Sequence, residues 1–203
     1  MTLTPLITRN NTLVILVVGL FIVTSCNASE HDKQTYDIKW WHITNKDQRV
    51  QFIAGYIDCV ITDKHDDSLI NTSWDNIEPK INDYYKLHPK SKYSVPYLVH
   101  KFRQTEQPKY VGDYHPGGIF TGYYWSEISP IQRRGYILGY IACLSSISQY
   151  SNTKWKSSNW YMDHIDSYYQ ITSDNVDDRT LSTKLSTLIH KFTLLDNKSA
   201  NQK

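Results

Sequence analysis

Hydrophobic residues recur at spacings of three and four along two stretches of the chain, which is the pattern of one face of an α-helix. The faces consist of Phe52, Tyr56 and Cys59 in the first stretch and of Tyr136, Tyr140 and Cys143 in the second. No segment shows the sustained alternation of a half-buried strand, so little sheet is expected. The pattern predicts an all-α fold with its helices packed in an antiparallel or orthogonal bundle.

The two stretches belong to an internal repeat. A shift of 84 positions aligns residues 36–59 with residues 120–143 without a gap, and seven of the last twelve positions are identical. After an insertion of six residues in the second copy, the pairing continues to residue 192. Similarity of this length indicates duplication of one supersecondary unit. We therefore expect two tandem three-helix units in one helical domain, in a pseudo-two-fold arrangement.

Each unit is predicted to contain three helices. Asn45 and Ser129-Pro130 are start signals for the two long first helices. The second and third helices are predicted at 74–87 and 96–104 in the first unit and at 160–171 and 179–195 in the second. The predicted segments are a signal peptide (1–25), a tether (26–35), the first unit (36–105), an inter-repeat loop (106–119), the second unit (120–196) and a disordered tail (197–203).

Each long first helix contains a glycine, although glycine in a helix interior costs about 1 kcal/mol relative to alanine. Because Gly55 and Gly139 carry this cost at equivalent positions, we expect another helix backbone to approach closely at both. Further equivalent pairs are interpreted as parts of the same repeated scaffold, and they are Arg49 with Arg133 and Tyr56 with Tyr140.

Cys59 and Cys143 are also equivalent, and each follows its glycine by four residues. This spacing makes the two helices candidates for a crossing near the pseudo-two-fold axis, where equivalent residues meet. In an oxidising compartment the two thiols could form a disulfide that links the units. Two buried free thiols are the alternative that the sequence leaves open.

The first thirty residues have the order of a secretory signal, with Arg9 followed by an apolar run over 13–23. The run is shorter than the roughly twenty residues that span a bilayer. Residues 23–26 resemble a lipobox, so Cys26 is predicted to carry a lipid anchor. We expect a periplasmic protein held on a bacterial membrane through that anchor only. Cleavage after Ala28 or Ser29, which would leave a soluble periplasmic protein, is the alternative.

The charge balance narrows the choice of partner. The chain has 22 basic and 20 acidic residues, and we interpret its surface as evenly mixed. Nucleic-acid binding needs a concentrated basic stripe, so nucleic acid is not expected as a partner. Sixteen tyrosines and six tryptophans instead predict broad aromatic contacts, with polar tips that need hydrogen-bond partners.

No catalytic residue, metal site or cofactor is predicted. The sequence contains no nucleophile elbow, phosphate loop or dinucleotide fingerprint. His164 lies near two aspartates in a group interpreted as a solvated helix face, and the charged run at 65–67 is interpreted as a solvated loop. His100 and His190 are repeat-equivalent, which favours a structural role for both.

The stretch between the repeats, 103–124, is predicted to be a loop rich in aromatic residues. Loops carry function more often than cores do, so its part without a counterpart in the first unit is the candidate partner contact. Within that part, which ends before Phe120, the predicted contact comprises Tyr114, His115, Pro116, Gly117 and Gly118. A packed structural loop is the alternative.

Three motifs of the first unit follow one another in an order that resembles a known family. They are a Gly-Tyr-containing helix at 52–58, a helix at 81–89 that ends in His88-Pro89, and a short third helix at 95–99. Together they resemble the small helical periplasmic immunity proteins of type VI secretion, which block peptidoglycan-cleaving amidase effectors. Those proteins are usually single units, and the second unit here has Ile171-Thr172-Ser173 in place of the His-Pro turn.

The sequence therefore predicts a non-enzymatic binding protein of the cell envelope, with immunity to a periplasmic effector as its concrete form. The resemblance implies that a loop would plug the effector's active site, with the inter-repeat loop and the loops near His65 and Ser148 as candidates. The second hypothesis is a structural or assembly lipoprotein that binds another envelope protein or cell wall, and the third is an uncharacterised enzyme. A homodimer is left open.

Overall fold

The structure, a computed structural model, describes residues 35–64, 74–103, 120–150, 153–169 and 178–200. Within these ranges the chain is helical and forms no β-strand, which confirms the predicted all-α class. The first half contains α1 (Ile38–Ile43), α2 (Lys46–Lys64), α3 (Trp74–Leu87) and α4 (Val95–Arg103). The second contains α5 (Gly122–Glu127), α6 (Pro130–Leu144), a 3₁₀ turn (Ser148–Tyr150), α7 (Ser158–Tyr169), α8 (Asp178–Leu181) and α9 (Leu185–Ala200). None of the described helices is long and apolar enough to cross a membrane.

The two long helices begin where the sequence signals place them. At the start of α2, the Asn45 side chain accepts a hydrogen bond of 2.8 Å from the Gln48 amide. At the start of α6, Ser129 and Gln132 form a capping box, and Pro130 occupies the first helical position. Both arrangements satisfy amide groups that have no carbonyl partner in the first turn of a helix.

Two short helices that the sequence did not predict, α1 and α5, precede the long ones. The prediction of a loop over 103–124 is therefore wrong at both ends, because Arg103 is the last residue of α4 and Gly122 the first residue of α5. In α1 the Asp37 carboxylate accepts hydrogen bonds from the first-turn amides, which favours helix at this point. The predicted inter-repeat loop at 106–119 lies outside the described residues.

The predicted helix at 179–195 is instead two helices, α8 and α9, with a break at 182–184. At the break the Leu185 amide donates to the Phe120 carbonyl at 3.0 Å rather than to a helical partner. The helix α9 then continues through Ala200, beyond the predicted start of a disordered tail at residue 197, and residues 201–203 lie outside the described residues. The sequence from 185 to 200 contains no glycine or proline that would end the helix earlier.

The same tyrosine contact occurs in both halves of the chain. The Tyr85 hydroxyl donates to the Tyr93 carbonyl at 2.9 Å, and the Tyr169 hydroxyl donates to the Thr183 carbonyl at 2.7 Å. The donors are 84 positions apart and the acceptors 90, which are the offsets of the sequence repeat before and after its insertion. These contacts are consistent with duplication, while the pseudo-two-fold axis itself stays a prediction.

The aromatic residue that precedes each short helix packs on the long helix that follows. The Tyr36 ring lies 4.8 Å from Phe52 of α2, and the Phe120 ring lies 5.2 Å from Tyr136 of α6, centroid to centroid. All four side chains are buried. Burial of this aromatic area fixes the short helices against the core.

A contact between a half-buried arginine and a buried tryptophan recurs in the two halves. The Arg49 guanidinium lies 4.9 Å from the centroid of the Trp41 ring, and that of Arg133 lies 5.3 Å from Trp125. Each guanidinium also donates to the backbone carbonyl of its tryptophan and pairs with a carboxylate of the following helix. The ion pairs are Arg49–Glu78 at 2.8 Å and Arg133–Asp166 at 3.1 Å. The two arginines therefore tie the helices of their own half together.

Glycine allows α2 and α6 to meet backbone to backbone at the centre of the protein. Gly55 of α2 packs on the backbone of Tyr136, and Gly139 of α6 packs on the backbone of Phe52. A Cβ at either glycine would overlap the carbonyl oxygen of its neighbour. The two contacts are reciprocal, since Phe52 and Tyr136 are themselves equivalent in the repeat.

A disulfide joins the same two helices, between Cys59 and Cys143, whose Cα atoms are 6.1 Å apart. The sequence left open whether these two cysteines form a disulfide or stay free thiols, and in the structure they are bonded. Because the glycine contacts lie before the disulfide on both helices, α2 and α6 run in the same direction. The expectation of antiparallel or orthogonal packing is wrong for this central pair, because the residues in contact follow the same order along both helices: Gln48 with Gly135, Phe52 with Gly139 and Cys59 with Cys143.

Alanine at either central glycine should separate α2 from α6. We expect Gly55→Ala and Gly139→Ala each to lower the free energy of unfolding by about 1–3 kcal/mol through overpacking. In an open helix the same change would raise that free energy by about 1 kcal/mol. Urea unfolding followed by circular dichroism measures the difference, with Asn76→Ala on the exposed side of α3 as the control. A glycine variant that gains stability would contradict the close approach.

Removal of the disulfide should destabilise the whole fold, because it closes a separation of 84 residues. The chain-entropy estimate for such a loop is about 4.5 kcal/mol. We expect the double variant Cys59→Ala/Cys143→Ala to show a lower Tm than the unsubstituted protein. A reductant should lower the Tm of the unsubstituted protein and leave that of the variant unchanged. Equal Tm values for both proteins without reductant would show that the bond contributes nothing.

Candidate functional site

A polar cluster lies inside the helical core between α2 and α6. Its centre is Asp58 of α2, whose carboxylate accepts a hydrogen bond from the Tyr136 hydroxyl of α6. The Tyr136 side chain is completely buried, and Asp58 is 8% exposed. An acid this deep in an apolar core is uncommon, because an ionised carboxylate is costly to bury.

The cluster continues toward the surface through His190 of α9. One ring nitrogen of His190 lies 2.9 Å from the Asp63 carboxylate, and the other lies 2.9 Å from the Tyr150 hydroxyl. The Tyr140 hydroxyl donates to Asp63 at 3.0 Å and also lies 3.0 Å from the Thr62 hydroxyl. The polar cluster, defined as these seven residues, thus joins α2, α6, α9 and the 3₁₀ turn.

Burial sets the protonation of the cluster. It raises the pKa of Asp58 to about 7, although the Tyr136 hydrogen bond and the Lys184 charge act in the opposite direction. Burial also tends to raise the pKa of Asp63, but the hydrogen bond and charge of His190 outweigh it and lower that pKa. The pKa values of Tyr136 and Tyr140 are raised well above their usual value, mainly by burial, so both hydroxyls stay protonated donors.

Most residues of the polar cluster are not conserved at the equivalent positions of the other repeat unit. The positions equivalent to Asp58 and Asp63 are Ala142 and Ile147, and the position equivalent to Tyr136 is Phe52. The aspartate–alanine mismatch inside the otherwise similar repeat is the sequence signal of this cluster. His190 belongs to the cluster, whereas the equivalent His100 lies on the surface.

The arrangement could hold or relay a proton between carboxylates, hydroxyls and an imidazole. Its members, however, satisfy one another: the carboxylates accept from tyrosines, and the imidazole bridges an aspartate and a tyrosine. Buried polar groups paired in this way fix the register of the helices that carry them. We therefore interpret the polar cluster as part of the scaffold.

A second feature lies on the outside, where α3 turns into α4. The rings of Tyr93 and Tyr97 stack with centroids 4.4 Å apart, and Tyr84 lies 4.5 Å from the His88 ring. Tyr93 and Tyr97 are 47% and 46% exposed, and the neighbouring Leu87 is 77% exposed. We call these five residues the tyrosine surface.

The turn under the tyrosine surface is held by internal hydrogen bonds. The buried Tyr85 side chain donates to the Tyr93 carbonyl at 2.9 Å, and the Ser91 amide donates to the His88 carbonyl at 2.9 Å. Pro89 follows His88 and stops α3, because it cannot continue the helical hydrogen bonds. The exposed rings are therefore presented by a backbone that the core fixes in place.

A groove of about 580 Å³ opens at this turn. Its lining residues are Tyr84, His88, Pro89, Lys90, Ser91, Lys92 and Tyr93. Residues 84–103 contain no aspartate or glutamate, so the interpretation of an evenly mixed surface is wrong for this stretch. The groove combines aromatic rings with exposed lysines.

A second groove, of about 400 Å³, lies on α7 and is lined by Asp163, His164, Ser167, Tyr168 and Phe192. It shares one repeat-equivalent lining position with the first groove, Tyr168 for Tyr84. The His164 ring stacks on Trp160 at 3.9 Å and bonds the Trp160 carbonyl through Nδ1 at 2.8 Å. The His164 ring is half-buried against these aromatic neighbours, while Asp163 beside it is exposed, so the interpretation of a solvated face fits only part of this group. This groove lacks the exposed tyrosine pair of the first.

The predicted scaffold residues lie in or beside the central helix pair. Arg49, Arg133, Gly55 and Gly139 make the contacts described above, Tyr56 is buried, and Tyr140 belongs to the polar cluster. Three other predicted sites lie outside the described residues: the lipid-anchor residue Cys26, the contact segment Tyr114–Gly118 and the loop near His65.

No family model, curated protein or solved structure matches this chain.

The polar cluster predicts a pH dependence of stability. Folded Asp58 keeps its proton up to about pH 7, whereas in the unfolded chain it loses the proton near 3.8. Between these values the folded state binds more protons, so stability falls as pH rises, by at most about 1.4 kcal/mol per pH unit. Asp58→Asn should remove this contribution and flatten the slope between pH 5 and pH 7 in urea unfolding.

The control for this experiment is Asp83→Asn, which removes an exposed carboxylate and should leave the slope unchanged. Asp63 does not interfere, because its lowered pKa places its own contribution below pH 4, where stability is lost as pH falls. An Asp58→Asn variant with the slope of the unsubstituted protein would show that Asp58 ionises normally in the fold.

Proposed function

We propose that this protein is an exported, non-enzymatic binding protein of the cell envelope. Its concrete role is to neutralise a periplasmic effector, a toxin of the peptidoglycan-hydrolase type, by direct protein–protein binding. The observation that carries this proposal is the tyrosine surface, a rigid and exposed aromatic face on the half of the chain that bears the resemblance.

The chemistry of the tyrosine surface suits a protein partner. Tyrosine is enriched at the centres of protein interfaces, since it combines a large contact area with a polar tip and little flexibility. Tyr93 and Tyr97 already stack on each other, so little side-chain freedom is lost on binding. The exposed Leu87 adds an apolar contact beside them.

The disulfide supports the export part of the proposal. Stable disulfides form in oxidising compartments such as the bacterial periplasm and are rare in the cytosol. The Cys59–Cys143 bond joins the two helices on which the rest of the core packs. A fold built on such a bond suits a protein that matures outside the cytoplasm.

The resemblance supports the immunity role. Its His-Pro turn and short third helix are the segments that form the tyrosine surface and its groove. The polar cluster, which is the best arrangement for acid–base chemistry in the described residues, is paired within the core, and this favours a binding role over catalysis. The predicted contact segment Tyr114–Gly118 stays a candidate for a second contact.

A structural or assembly lipoprotein is the second candidate function. The exposed aromatic face would serve equally to hold another envelope protein, and the lipid anchor predicted at Cys26 would suit either role. The two candidates differ in the partner: immunity requires one tight, stoichiometric effector, whereas assembly requires several weaker envelope partners.

Affinity capture from the native cell envelope tests the proposal. The full chain with a C-terminal tag should retain one peptidoglycan hydrolase or toxin in stoichiometric amount, identified by mass spectrometry. Tyr97→Ala should weaken this retention at least about fivefold, because truncation of a tyrosine that is an interface hot spot costs more than about 1 kcal/mol.

The matched control is Tyr123→Ala on α5, since Tyr123 is 47% exposed and Tyr97 46%. It should retain the effector as the unsubstituted protein does. Recovery of envelope assembly components alone would favour the second candidate function. Recovery of no protein would contradict both binding roles.

A further inference from the structure

We infer that the tyrosine surface binds an acidic protein surface, whose carboxylates face the lysines around its groove. This inference rests on the proposed binding function and adds to it the chemistry of the partner's surface. It is carried by the distribution of charge along the chain and around the turn between α3 and α4.

Positive charge is concentrated in the segment that forms the surface. Residues 84–103 hold four lysines and one arginine and no acidic residue. The other 17 basic residues and all 20 acidic residues lie elsewhere, so the remainder of the chain has a formal charge of −3. The net charge of +2 for the whole chain therefore combines a basic segment of formal charge +5 with a remainder that is close to neutral.

The lysines of this segment surround the exposed tyrosines. Lys90 and Lys92 are exposed and line the groove itself. The Lys101 ammonium lies 5.5 Å from the centroid of the Tyr84 ring, on the side of α4. Lys86 pairs with Asp83 at 3.4 Å, and this ion pair is exposed and therefore weak. A partner carboxylate would meet at least two exposed ammonium groups.

Charge complementarity of this kind steers association and selects the partner more than it adds affinity. The stacked tyrosines and Leu87 would supply the apolar contact area, and the lysines would orient an acidic partner over the groove. Exposed charge pairs are screened by salt over about 8–10 Å, so the interaction should weaken as ionic strength rises.

A protein partner suits the shape of the surface better than a lipid bilayer does. The groove is concave, and it can receive a side chain or loop that a flat bilayer surface does not offer. Leu87 is the exposed aliphatic side chain of the tyrosine surface, whereas interfacial membrane binding relies on a broad apolar face. Anionic lipid and nucleic acid are therefore tested as competing outcomes.

The test uses protein purified from its own cell envelope and a defined acidic probe. The probe is a fluorescein-labelled random copolymer of glutamate and tyrosine, and its binding is followed by fluorescence anisotropy at 50 and 300 mM salt. Lys90→Glu/Lys92→Glu should weaken binding at least about tenfold, and the higher salt should weaken binding to the unsubstituted protein.

Lys39→Glu/Lys46→Glu is the matched control, because it changes the net charge equally at two exposed lysines outside the tyrosine surface. It should bind the copolymer as the unsubstituted protein does, and circular dichroism should show both variants folded. Equal losses in the two variants, or no binding of the copolymer, would overturn the inference. Tighter binding to vesicles containing phosphatidylglycerol, or to an oligothymidine, with the same dependence on Lys90 and Lys92 would also overturn it.

The copolymer experiment and the capture experiment can fail independently, so failure of the inference can be distinguished from failure of the proposed function. A captured effector whose retention is unaffected by Lys90→Glu/Lys92→Glu would leave the proposed function standing and remove the inference. Specific binding of the copolymer without any captured effector would keep the acidic-protein surface and remove the immunity role.

Discussion

The backbone contact between α2 and α6 is the constraint on which the rest of the fold depends. Gly55 and Gly139 let the two helices approach until each meets a carbonyl of the other, and the Cys59–Cys143 bond locks that approach. The aromatic residues that flank these helices then pack on a fixed pair. Any residue with a Cβ at either glycine would separate the helices and misplace the surrounding aromatic layer.

Around the α2–α6 pair, the two halves share the contacts that stabilise the fold and differ in the polar and exposed residues that they carry. Both have an arginine over a buried tryptophan and a tyrosine hydroxyl that ties the turn before the last helix. The side of the central pair that holds Asp58 is polar, and the outer turn of the first half carries the exposed tyrosines. Repeated contacts thus stabilise the scaffold, while the residues that differ between the halves account for the polar cluster and the tyrosine surface.

Periodicity and the internal repeat were sufficient to predict the all-α class, both long helices and α3, because helical spacing and caps are local signals. The repeat also pointed to close contact at Gly55 and to the pairing of the cysteines. The break before Leu185 depends on a carbonyl from Phe120, which is distant in sequence, so local signals could not show it. The exposure of Tyr93 and Tyr97 likewise depends on which side of the turn faces the core.

We expect both halves of the chain to unfold together, as one cooperative core around α2 and α6. Native-state hydrogen exchange of backbone amides tests it most directly, because each amide reports the free energy of the opening that exposes it. Amides near Gly55 and near Gly139 should exchange slowest, and both should open with the same free energy, equal to that of global unfolding. Two different values for the two helices, or slower exchange in α3 or α7, would contradict a shared core.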